Sequence, residues 1–380
     1  MDRAEPPTKQ GVVPLIDDLL TRAVRRRASD VHFEPGEHHM TIRFRLDGVL
    51  HDIERLPAAL AENIIARLKV MAGLLTYRID IPQEGSLPAP HLGPADGVPA
   101  LDMRVATFPT IRGERAVVRL LYSGTGVHEL KDLGFTADLT ATLANASERQ
   151  AGMIVVTGPA GAGKSTTLYA LARHILAVTP GRGIVSLEDP VEQRVEGMTQ
   201  IQITPHGELD YTRAMRSLLR QDPEVLLVGE VRDARTAAVV VEAALTGHLL
   251  LTTMHAGDPA EALVRLLEMG IPPYQVVSTL TLVCSQRLVR RLCSQCRQET
   301  GRPDAPFSRG GCPACHRTGY HGRTACGQCL VLDGVIRTAV LEQATVSKLR
   351  ELAARQGPDL LDDAARLVRE GQTDEDEVRR

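Results

Sequence analysis

Tryptophan is absent from the 380-residue sequence, and aromatic residues make up only 3% of it. Proteins that bind single-stranded nucleic acids stack the bases on aromatic side chains, so the composition argues against a nucleic-acid motor. An excess of positive charge is also missing, because 44 Lys and Arg residues are balanced by 47 Asp and Glu residues, for a net charge of −3. The chain as a whole therefore attracts neither nucleic acid nor an anionic membrane. We expect no nucleic-acid partner, and contact with a membrane only through other proteins.

Long apolar runs are missing as well. A membrane-spanning helix needs about 20 mostly apolar residues, and no run of that kind occurs in the sequence. The opening residues MDRAEPPTKQ are polar and lack the apolar stretch of a signal peptide. We therefore predict a cytoplasmic protein. Apolar residues still make up 43% of the chain, enough for a sizeable core divided among about two or three domains.

The first third of the chain alternates helical and strand patterns. The stretch PLIDDLLTRAVRR has apolar residues at helical spacing, and HMTIRFRLDGVLHDI alternates apolar and polar residues as a strand does. We predict a small α+β, PAS-like domain over residues 1–121, with a hairpin or surface loop at 86–100, which is rich in Pro and Gly. Residues 122–135 have the composition of a linker, although a short helix over 128–133 is an alternative.

The rest of the chain, residues 136–380, has a different pattern. Four apolar runs, GMIVVTG, GIVSLE, VLLVGE and HLLLTTMH, alternate with helical stretches. This alternation is typical of a parallel sheet covered by helices on both faces. We therefore predict an α/β domain here, whose last part, residues 335–380, forms short amphipathic helices.

A phosphate-binding motif follows the first of these runs. The sequence GPAGAGKS matches G-x-x-x-x-G-K-[ST], and it lies between a predicted strand and a predicted helix, as the motif requires. Backbone N–H groups of such a loop surround a β-phosphate, Lys164 would bridge the β and γ oxygens, and the Ser165 hydroxyl would bind Mg²⁺. A chance glycine turn is the alternative, and the flanking pattern argues against it. The predicted ATP-binding residues are Gly158, Gly161, Gly163, Lys164, Ser165 and Thr166.

Acidic residues and a histidine follow later runs. SLEDPVE, residues 186–192, places three carboxylates at the end of a predicted strand, where open α/β sheets bind ligands. Alone, this acidic stretch would be interpreted as a solvated turn, but the phosphate loop upstream favours a ligand-binding site. The run VLLVGE ends in glycine where a Mg²⁺-binding aspartate is ordinarily expected, so that Glu230 is the nearest carboxylate. His255 ends the next run and could bond a γ-phosphate, although a lone histidine more often bonds backbone carbonyls.

Six of the seven cysteines form three Cys-x-x-Cys pairs between residues 293 and 329. In a reducing compartment such pairs indicate metal ligation. Two of the pairs, separated by 15 residues, have the spacing of a four-thiolate zinc site. We favour these as the zinc ligands and interpret Cys326 and Cys329 as core thiols or alternate ligands. Cys284 is expected to be a buried apolar residue. The predicted zinc ligands are Cys293, Cys296, Cys312 and Cys315.

Taken together, these motifs resemble the secretion ATPases of type II secretion and type IV pilus assembly. The phosphate loop, SLEDPVE, LLRQDPEVLLVGEVRD, TGHLLLTTMH and the Cys-x-x-Cys pairs occur in that family's order. The stretches ASDVHFEP, RFRLDGVL and DMRVATFPTIRGERAVVRLL resemble the domain ahead of its motor, and the likeness runs from about Pro14 to the C-terminus. It implies a RecA-like P-loop motor domain with a tetracysteine zinc insertion, preceded by the α+β domain.

The resemblance also implies roles for particular residues. Glu188 and Glu230 would divide metal coordination and water activation, and His255 would contact the γ-phosphate. Arg104 and Arg119 match the arginines by which the family's N-terminal domain reaches the phosphates. ATP would bind between the two domains of each subunit in a hexameric ring. The implied function is a cytoplasmic motor at the inner membrane that drives pilus or pseudopilus subunits through an inner-membrane platform protein.

Some departures from the family pattern leave an alternative open. Asp80 and Ser86 stand where the family has arginines, so a regulatory or structural subunit with weak ATPase activity is a second hypothesis. The cysteine segment favours a role in assembly over retraction. The sequence begins close to the first domain of the resemblance, and we expect no additional docking domain ahead of it.

Overall fold

A computed structural model of the chain describes residues 11–87, 101–122, 129–203 and 210–380. The chain divides into two compact units, residues 1–125 and 126–380. Most of the loop predicted over 86–100 lies outside the described residues, as does part of the predicted linker. No helix in the described part of the chain is both long enough and apolar enough to span a bilayer.

The first unit is one antiparallel sheet with two helices. Its strands are ordered β3-β2-β1-β6-β5-β4, and α1 and α2 pack on the sheet. The elements are α1 (Val12–Arg25), β1 (Asp30–Pro35), β2 (His39–Leu46), β3 (Val49–Pro57), α2 (Ala61–Met71), β4 (Gln83–Leu87), β5 (Leu101–Thr110) and β6 (Gly113–Tyr122).

Both amphipathic patterns predicted for this unit are confirmed. Along β2, Ile42 and Phe44 are fully buried while the residues between them are partly exposed. On α1, Leu19 and Leu20 face the same core. Alternation with period two on the strand and three to four on the helix directs all of these side chains to one side, which is why helix and sheet share a single core.

The second unit is a seven-stranded sheet with helices on both sides. Its strand order is β15-β12-β7-β11-β10-β8-β9, and β15 alone among these is antiparallel to its neighbour. The elements are α3 (Ala137–Ser147), β7 (Gly152–Thr157), α4 (Lys164–Val178), β8 (Ile184–Glu188), β9 (Met198–Gln202), α5 (Tyr211–Leu218), β10 (Val225–Val228), α6 (Ala234–Leu245), β11 (Leu249–Met254), α7 (Pro259–Glu268), α8 (Pro273–Thr279), β12 (Leu280–Leu292), β13 (Gln298–Glu299), β14 (Phe307–Ser308), β15 (Tyr320–Val331), α9 (Gly334–Leu341), α10 (Val346–Ala354), α11 (Leu360–Arg369) and α12 (Glu375–Val378).

The four apolar runs form the centre of this sheet, as predicted. They become β7, β8, β10 and β11, which are paired in parallel. Every residue of β7 is buried, and successive residues serve opposite faces: Met153 and Val155 belong to one core cluster, Ile154 and Val156 to the other. A strand buried on both faces has few polar positions, which explains why the runs are nearly continuous. The predicted parallel α/β fold and the C-terminal helices are confirmed.

Two long strands were not predicted. β12 and β15 extend the sheet as an antiparallel pair, with Cys284 opposite Cys329. The cysteine segment predicted over 293–329 therefore begins at the end of one strand and returns as the other. Within the predicted linker, Leu130 and Leu133 form part of a short 3₁₀ helix and are buried in the core of the second unit. The exact domain boundary stays a prediction.

Candidate functional site

The phosphate-binding motif forms a loop between β7 and α4, as its sequence requires. Gly163 caps α4 with a φ of 85°, a left-handed conformation that favours glycine. At Gly158, an added Cβ would lie 2.5 Å from the carbonyl oxygen of Gln286, so a larger residue there would displace the loop. The first turn of α4 therefore presents free backbone N–H groups and a positive helix end, which suit a phosphate.

Gln286 of β12 supports this loop from below. Its Nε2 donates to the Ala162 carbonyl at 2.7 Å, and its Oε1 accepts from the Thr167 hydroxyl at 2.8 Å. The side chain is 1% exposed, and buried polar groups need such partners. Sequence reasoning missed this residue. The only available signal was a glutamine within the apolar stretch LTLVCSQRLV.

Lys164 lies folded back over the loop. Its Nζ donates to the carbonyls of Gly158 and Pro159 at 2.8 and 3.1 Å, and it lies 3.3 Å from Nδ1 of His255. These weak neutral partners could be exchanged for phosphate oxygens, which form stronger charge-assisted bonds. The loop thus holds its cation next to the place where phosphates would bind.

Glu230 completes a chain of contacts that starts at Lys164. It follows β10, and its Oε1 lies 2.8 Å from Nε2 of His255. Its Oε2 accepts from Nε of Arg232 at 2.7 Å. The structure therefore brings together Lys164, His255 and Glu230, three residues that lie on separate elements and were each predicted as site residues.

Glu188 lies at the end of β8, as predicted, but it faces inward. It is 4% exposed. Its Oε1 accepts from the Ser186 hydroxyl at 2.5 Å and from Nε2 of Gln200 at 3.1 Å, and its Oε2 accepts from the hydroxyl of Tyr169. A carboxylate that already accepts from three donors has little capacity left for a further partner.

Glu192 ends the same acidic stretch, residues 188–192, which we call the acidic box. In contrast to Glu188, it is exposed. Burial lowers the pKa of Lys164, and the negative charges of Glu230 and Glu192 oppose that shift. Glu192 is therefore the carboxylate of the box whose charge acts on the lysine. Sequence reasoning quoted it within SLEDPVE but did not select it, because position along the chain does not distinguish an exposed carboxylate from a buried one.

The four cysteines predicted as zinc ligands form one cluster. Their sulfur atoms all lie within 4.8 Å of one another, with separations of 3.9 Å for Cys293 and Cys312 and of 3.7 Å for Cys296 and Cys315. Sulfurs that surround one zinc ion at about 2.3 Å lie about 3.8 Å apart. The geometry of the cluster therefore fits zinc.

The thiol of Cys315 has an unusually low pKa. Burial opposes ionisation of Cys315, but backbone N–H groups of Cys312 and Gly319 donate to its sulfur at 3.3 Å each and help lower its pKa to about 6. Burial raises the pKa of Cys326 to about 11, as expected for a core thiol. The thiolate is the form that binds metal, so the low pKa of Cys315 favours ligation. Burial raises the pKa of Cys296, in the same cluster, to about 12, so position and not pKa separates the four clustered cysteines from Cys326.

The third cysteine pair lies apart from the cluster. The Cys326 thiol donates to the Arg287 carbonyl and packs with residues of α11. The Cys329 thiol contacts that of Cys284, and this contact together with burial raises its pKa well above the usual value. The interpretation of Cys326 and Cys329 as core thiols is confirmed, as is the burial of Cys284.

The acidic end of the chain holds the cysteine segment in place. Arg290, next to the segment on β12, is paired with Glu377 of α12 through Nε at 3.0 Å, and both side chains are 10% exposed. Within the segment, Arg302 pairs with Glu375 at 2.8 Å. Residues 374–377 thus form a clamp over the segment.

In the first unit, the two predicted arginines lie side by side. In the register of the sheet, Arg104 on β5 lies opposite Arg119 on β6 and, on its other side, opposite Ser86 on β4. Nε of Arg119 donates to Asp30 at 3.2 Å, while the side chain stays 67% exposed. With an arginine at position 86, as in the family pattern, three neighbouring strands would carry adjacent cations at positions 86, 104 and 119.

Asp80, at the other departure from the family pattern, neutralises a neighbouring cation. It accepts from Nε of Arg78 at 3.0 Å, and this bond lowers its pKa. The same loop is anchored by Lys69, which is fully buried, donates to the Arg78 carbonyl at 2.8 Å and pairs with Glu114 at 2.5 Å.

Known proteins resemble the chain over nearly its whole length. A family described as "Type II/IV secretion system protein" matches residues 6–380. The type II secretion system protein HxcR of Pseudomonas aeruginosa is 40% identical over 370 residues, covering 97% of this chain and 77% of the relative. The type IV pilus assembly ATPase PilB of Thermus thermophilus is 36% identical over 359 residues, covering 90% of this chain and 40% of the relative.

A solved structure has the same fold. The X-ray structure of the Legionella pneumophila ATPase DotB gives a TM-score of 0.72 and covers 100% of this chain and 96% of that chain, with 22% sequence identity. This likeness agrees with the predicted fold class, a RecA-like P-loop domain with a parallel sheet that follows a small α+β domain and carries a tetracysteine insertion. Because the family match spans residues 6–380 and a relative is 40% identical over 97% of the chain, the chain belongs to the type II/IV secretion system protein family.

Proposed function

We propose that the chain is the ATP-hydrolysing motor of a type II secretion or type IV pilus assembly machinery, and that it works as a homo-hexamer at an inner-membrane platform protein on the cytoplasmic side. The chain is a P-loop ATPase of the secretion family. The observation that carries the proposal is the continuous contact between Lys164, His255 and Glu230 beside the phosphate loop. Hexamer formation on addition of ATP, measured by light scattering together with hydrolysis by the purified chain, tests it.

The residues of the loop suit the binding of ATP and Mg²⁺. Lys164 would leave the Gly158 and Pro159 carbonyls for β- and γ-phosphate oxygens, while N–H groups from Gly161 to Thr166 surround the phosphates. The Ser165 hydroxyl would hold Mg²⁺, which neutralises charge on the phosphates when bound. His255 would contact the γ-phosphate and, through its other nitrogen, Glu230. Binding and release of that phosphate would therefore shift His255 at the end of β11 and Glu230 at the end of β10.

Activation of the attacking water requires a carboxylate that water can reach. We assign this task to Glu192 and Glu230 and give Glu188 a supporting role, although the family resemblance points to Glu188. Glu188 is buried and already accepts three hydrogen bonds, whereas Glu192 is exposed and acts on Lys164. A general base needs an unoccupied lone pair within hydrogen-bond distance of the water, and Glu192 meets that requirement better.

A comparison of two isosteric substitutions tests this assignment. We expect Glu192→Gln to lower kcat by about 10²-fold or more with an unchanged melting temperature, because its carboxylate is exposed. Glu188→Gln should mainly lower the melting temperature, since a neutral amide cannot accept from all three donors that surround it. Steady-state hydrolysis and thermal melts of both variants give the answer. Loss of hydrolysis in Glu188→Gln at an unchanged melting temperature would contradict the assignment.

Zinc is proposed as a structural ion. Four thiolates would fill all four tetrahedral positions of a zinc ion, and structural zinc sites differ from catalytic ones in having no position open for water. The clamp of residues 374–377 joins this site to β12, and β12 also carries Gln286 beneath the phosphate loop.

Arg104 and Arg119 are proposed to approach the phosphates when the ring closes on ATP, as in the family pattern. The second hypothesis, a regulatory subunit with weak activity, is favoured by the ion pair that neutralises Arg78 and by the serine beside Arg104. An arginine contact on the transferred phosphoryl group is worth about 10³-fold or more. Hydrolysis at an ordinary rate of about 1 s⁻¹ or higher by the purified chain alone would exclude this hypothesis.

A further inference from the structure

Tyr169 links the helix α4 to the acidic box. Among the described residues, no other side chain of α4 forms a hydrogen bond with the box. Tyr169 lies on α4, four residues after Ser165, and is 2% exposed. Its hydroxyl donates to the Glu188 carboxylate at one end of the acidic box and accepts from the backbone N–H of Glu192 at the other end, at 3.3 Å. Both ends of the box are therefore tied to one atom of the nucleotide-binding helix.

We propose that Tyr169 is a positioning residue for ATP hydrolysis, which holds the backbone of Glu192 in place and couples the acidic box to the helix that carries Lys164 and Ser165. The inference rests on the proposed function and on the role proposed there for Glu192. It assigns no chemical step to Tyr169 itself.

The two partners of the Tyr169 hydroxyl differ in how firmly other contacts hold them. Glu188 is anchored independently, because Ser186 and Gln200 donate to its side chain and its backbone carbonyl accepts from Ile203 at 2.8 Å. Glu192 is outside any strand or helix. Its N–H is bonded to the Tyr169 hydroxyl. The neighbours of Glu192 are held by β9, because Gln202 accepts from the Val191 N–H at 3.3 Å and Gln200 donates to the Gln193 carbonyl at 2.8 Å. Tyr169 adds the bond to Glu192 itself and ties this loop to α4.

The protonation state of Tyr169 supports this role. Burial, reinforced by the negative charge of Glu188, raises the pKa of its hydroxyl above the usual value. The hydroxyl therefore remains a donor to Glu188 throughout the physiological pH range, and its lone pairs remain available to the Glu192 N–H. The link between α4 and the box is accordingly permanent and does not titrate with the carboxylates.

Because Tyr169 lies on α4, a movement of this helix would be transmitted to the acidic box. Side chains four residues apart lie on the same face of a helix, so Tyr169 follows the face that Ser165 presents at the first turn. When phosphates pull on the first turn of α4, the helix moves as a rigid body, and the hydroxyl moves with it. A shift of about 1 Å in a catalytic group can cost about 10²-fold in rate, so a small displacement of Glu192 has a large effect.

Removal of the hydroxyl tests the inference. We expect Tyr169→Phe to lower kcat for ATP by about 10-fold to 10²-fold, while KM and the affinity for a fluorescent ATP analogue change by less than about 2-fold. Tyr274→Phe is the matched control, because this tyrosine is 60% exposed on α8 and its loss should change nothing. A Tyr169→Phe protein that hydrolyses ATP at the unaltered rate would overturn the inference.

The double variant separates positioning from simple loss of packing. Because Tyr169 acts through Glu192, adding Tyr169→Phe to Glu192→Gln should lower kcat no further. An equal further loss in the double variant would show that Tyr169 acts elsewhere and would also overturn the inference. Should Tyr169→Phe fail to fold, hydrogen exchange of the Glu192 amide in the parent chain is the second measurement. The amide should be protected by its bond to the Tyr169 hydroxyl, and an amide that exchanges as fast as an unbonded one counts against the inference. A parent chain without any hydrolysis would instead reject the proposed function.

Discussion

Replacing Lys164 by alanine is expected to lower ATP hydrolysis by about 10³-fold and to weaken nucleotide binding. A cation on the transferred phosphoryl group stabilises charge that develops in the transition state, and single preorganised contacts of this kind are worth about 10²-fold to 10³-fold. In the structure, Lys164 bonds only to loop carbonyls and contacts His255. Its removal should therefore leave the melting temperature nearly unchanged. Phosphate release and binding of a fluorescent nucleotide are the measurements.

Two further variants are compared with Lys164→Ala. Lys348→Ala serves as the control, because Lys348 is exposed on α10 and, among the residues that the structure describes, its side chain pairs only with Glu351, at 3.0 Å. Glu230→Gln should also abolish hydrolysis but retain nucleotide binding, since Glu230 contacts His255 and Arg232 and does not belong to the phosphate loop. Full hydrolysis by both the Lys164 and the Glu230 variant would reject the proposed motor.

Removal of the metal is expected to have the largest effect on stability. Structural zinc contributes about 10 to 16 kcal/mol of apparent binding free energy in small zinc-binding peptides, and the cysteine cluster has the sulfur separations that zinc requires. We expect one zinc ion per chain by elemental analysis. Cys315→Ala should lose it, because one of the four clustered sulfur atoms is removed. The melting temperature should fall by about 2 to 4 °C for each kcal/mol lost.

Cys326→Ala is the matched control for this experiment. It also removes a cysteine of a Cys-x-x-Cys pair, but that thiol is protonated and lies in a separate apolar cluster. Zinc content should stay at one ion per chain, and stability should change only by the small cost of a buried sulfur. Equal zinc loss in both variants would mean that the ligands are not the four that lie together, and a folded chain without zinc would reject the site.

The sequence predicted best the features that depend on neighbouring residues. The phosphate loop is specified within eight positions from Gly158 to Ser165, and the central strands are specified by continuous apolar runs that need burial on both faces. The clustering of Cys293, Cys296, Cys312 and Cys315 was predicted for the same reason, because two Cys-x-x-Cys turns carry their geometry in their spacing. In each of these cases the physical cause lies within a short stretch of chain.

The features that were missed depend on contacts between distant residues. Gln286 bonds to Ala162 across 124 positions in the sequence, and nothing near Gln286 indicates which loop it supports. Glu188 and Glu192 differ by only four positions, yet one is buried among donors and the other is exposed. The donors that surround Glu188 include Gln200 and Tyr169, which lie on other elements. Tertiary packing decides such cases, and the pattern of a single segment contains no record of it.

The clamp of residues 374–377 has a consequence for the order of events during synthesis. The thiols at 293–315 leave the ribosome before the acidic residues that later pair with Arg290 and Arg302. A nascent chain can therefore load its metal while the cysteine segment is still open, and the arrival of the acidic turn closes the route by which the ion would leave. In cells short of zinc, the cysteine segment would stay open, and the acidic turn would lack the ordered partner on which it closes.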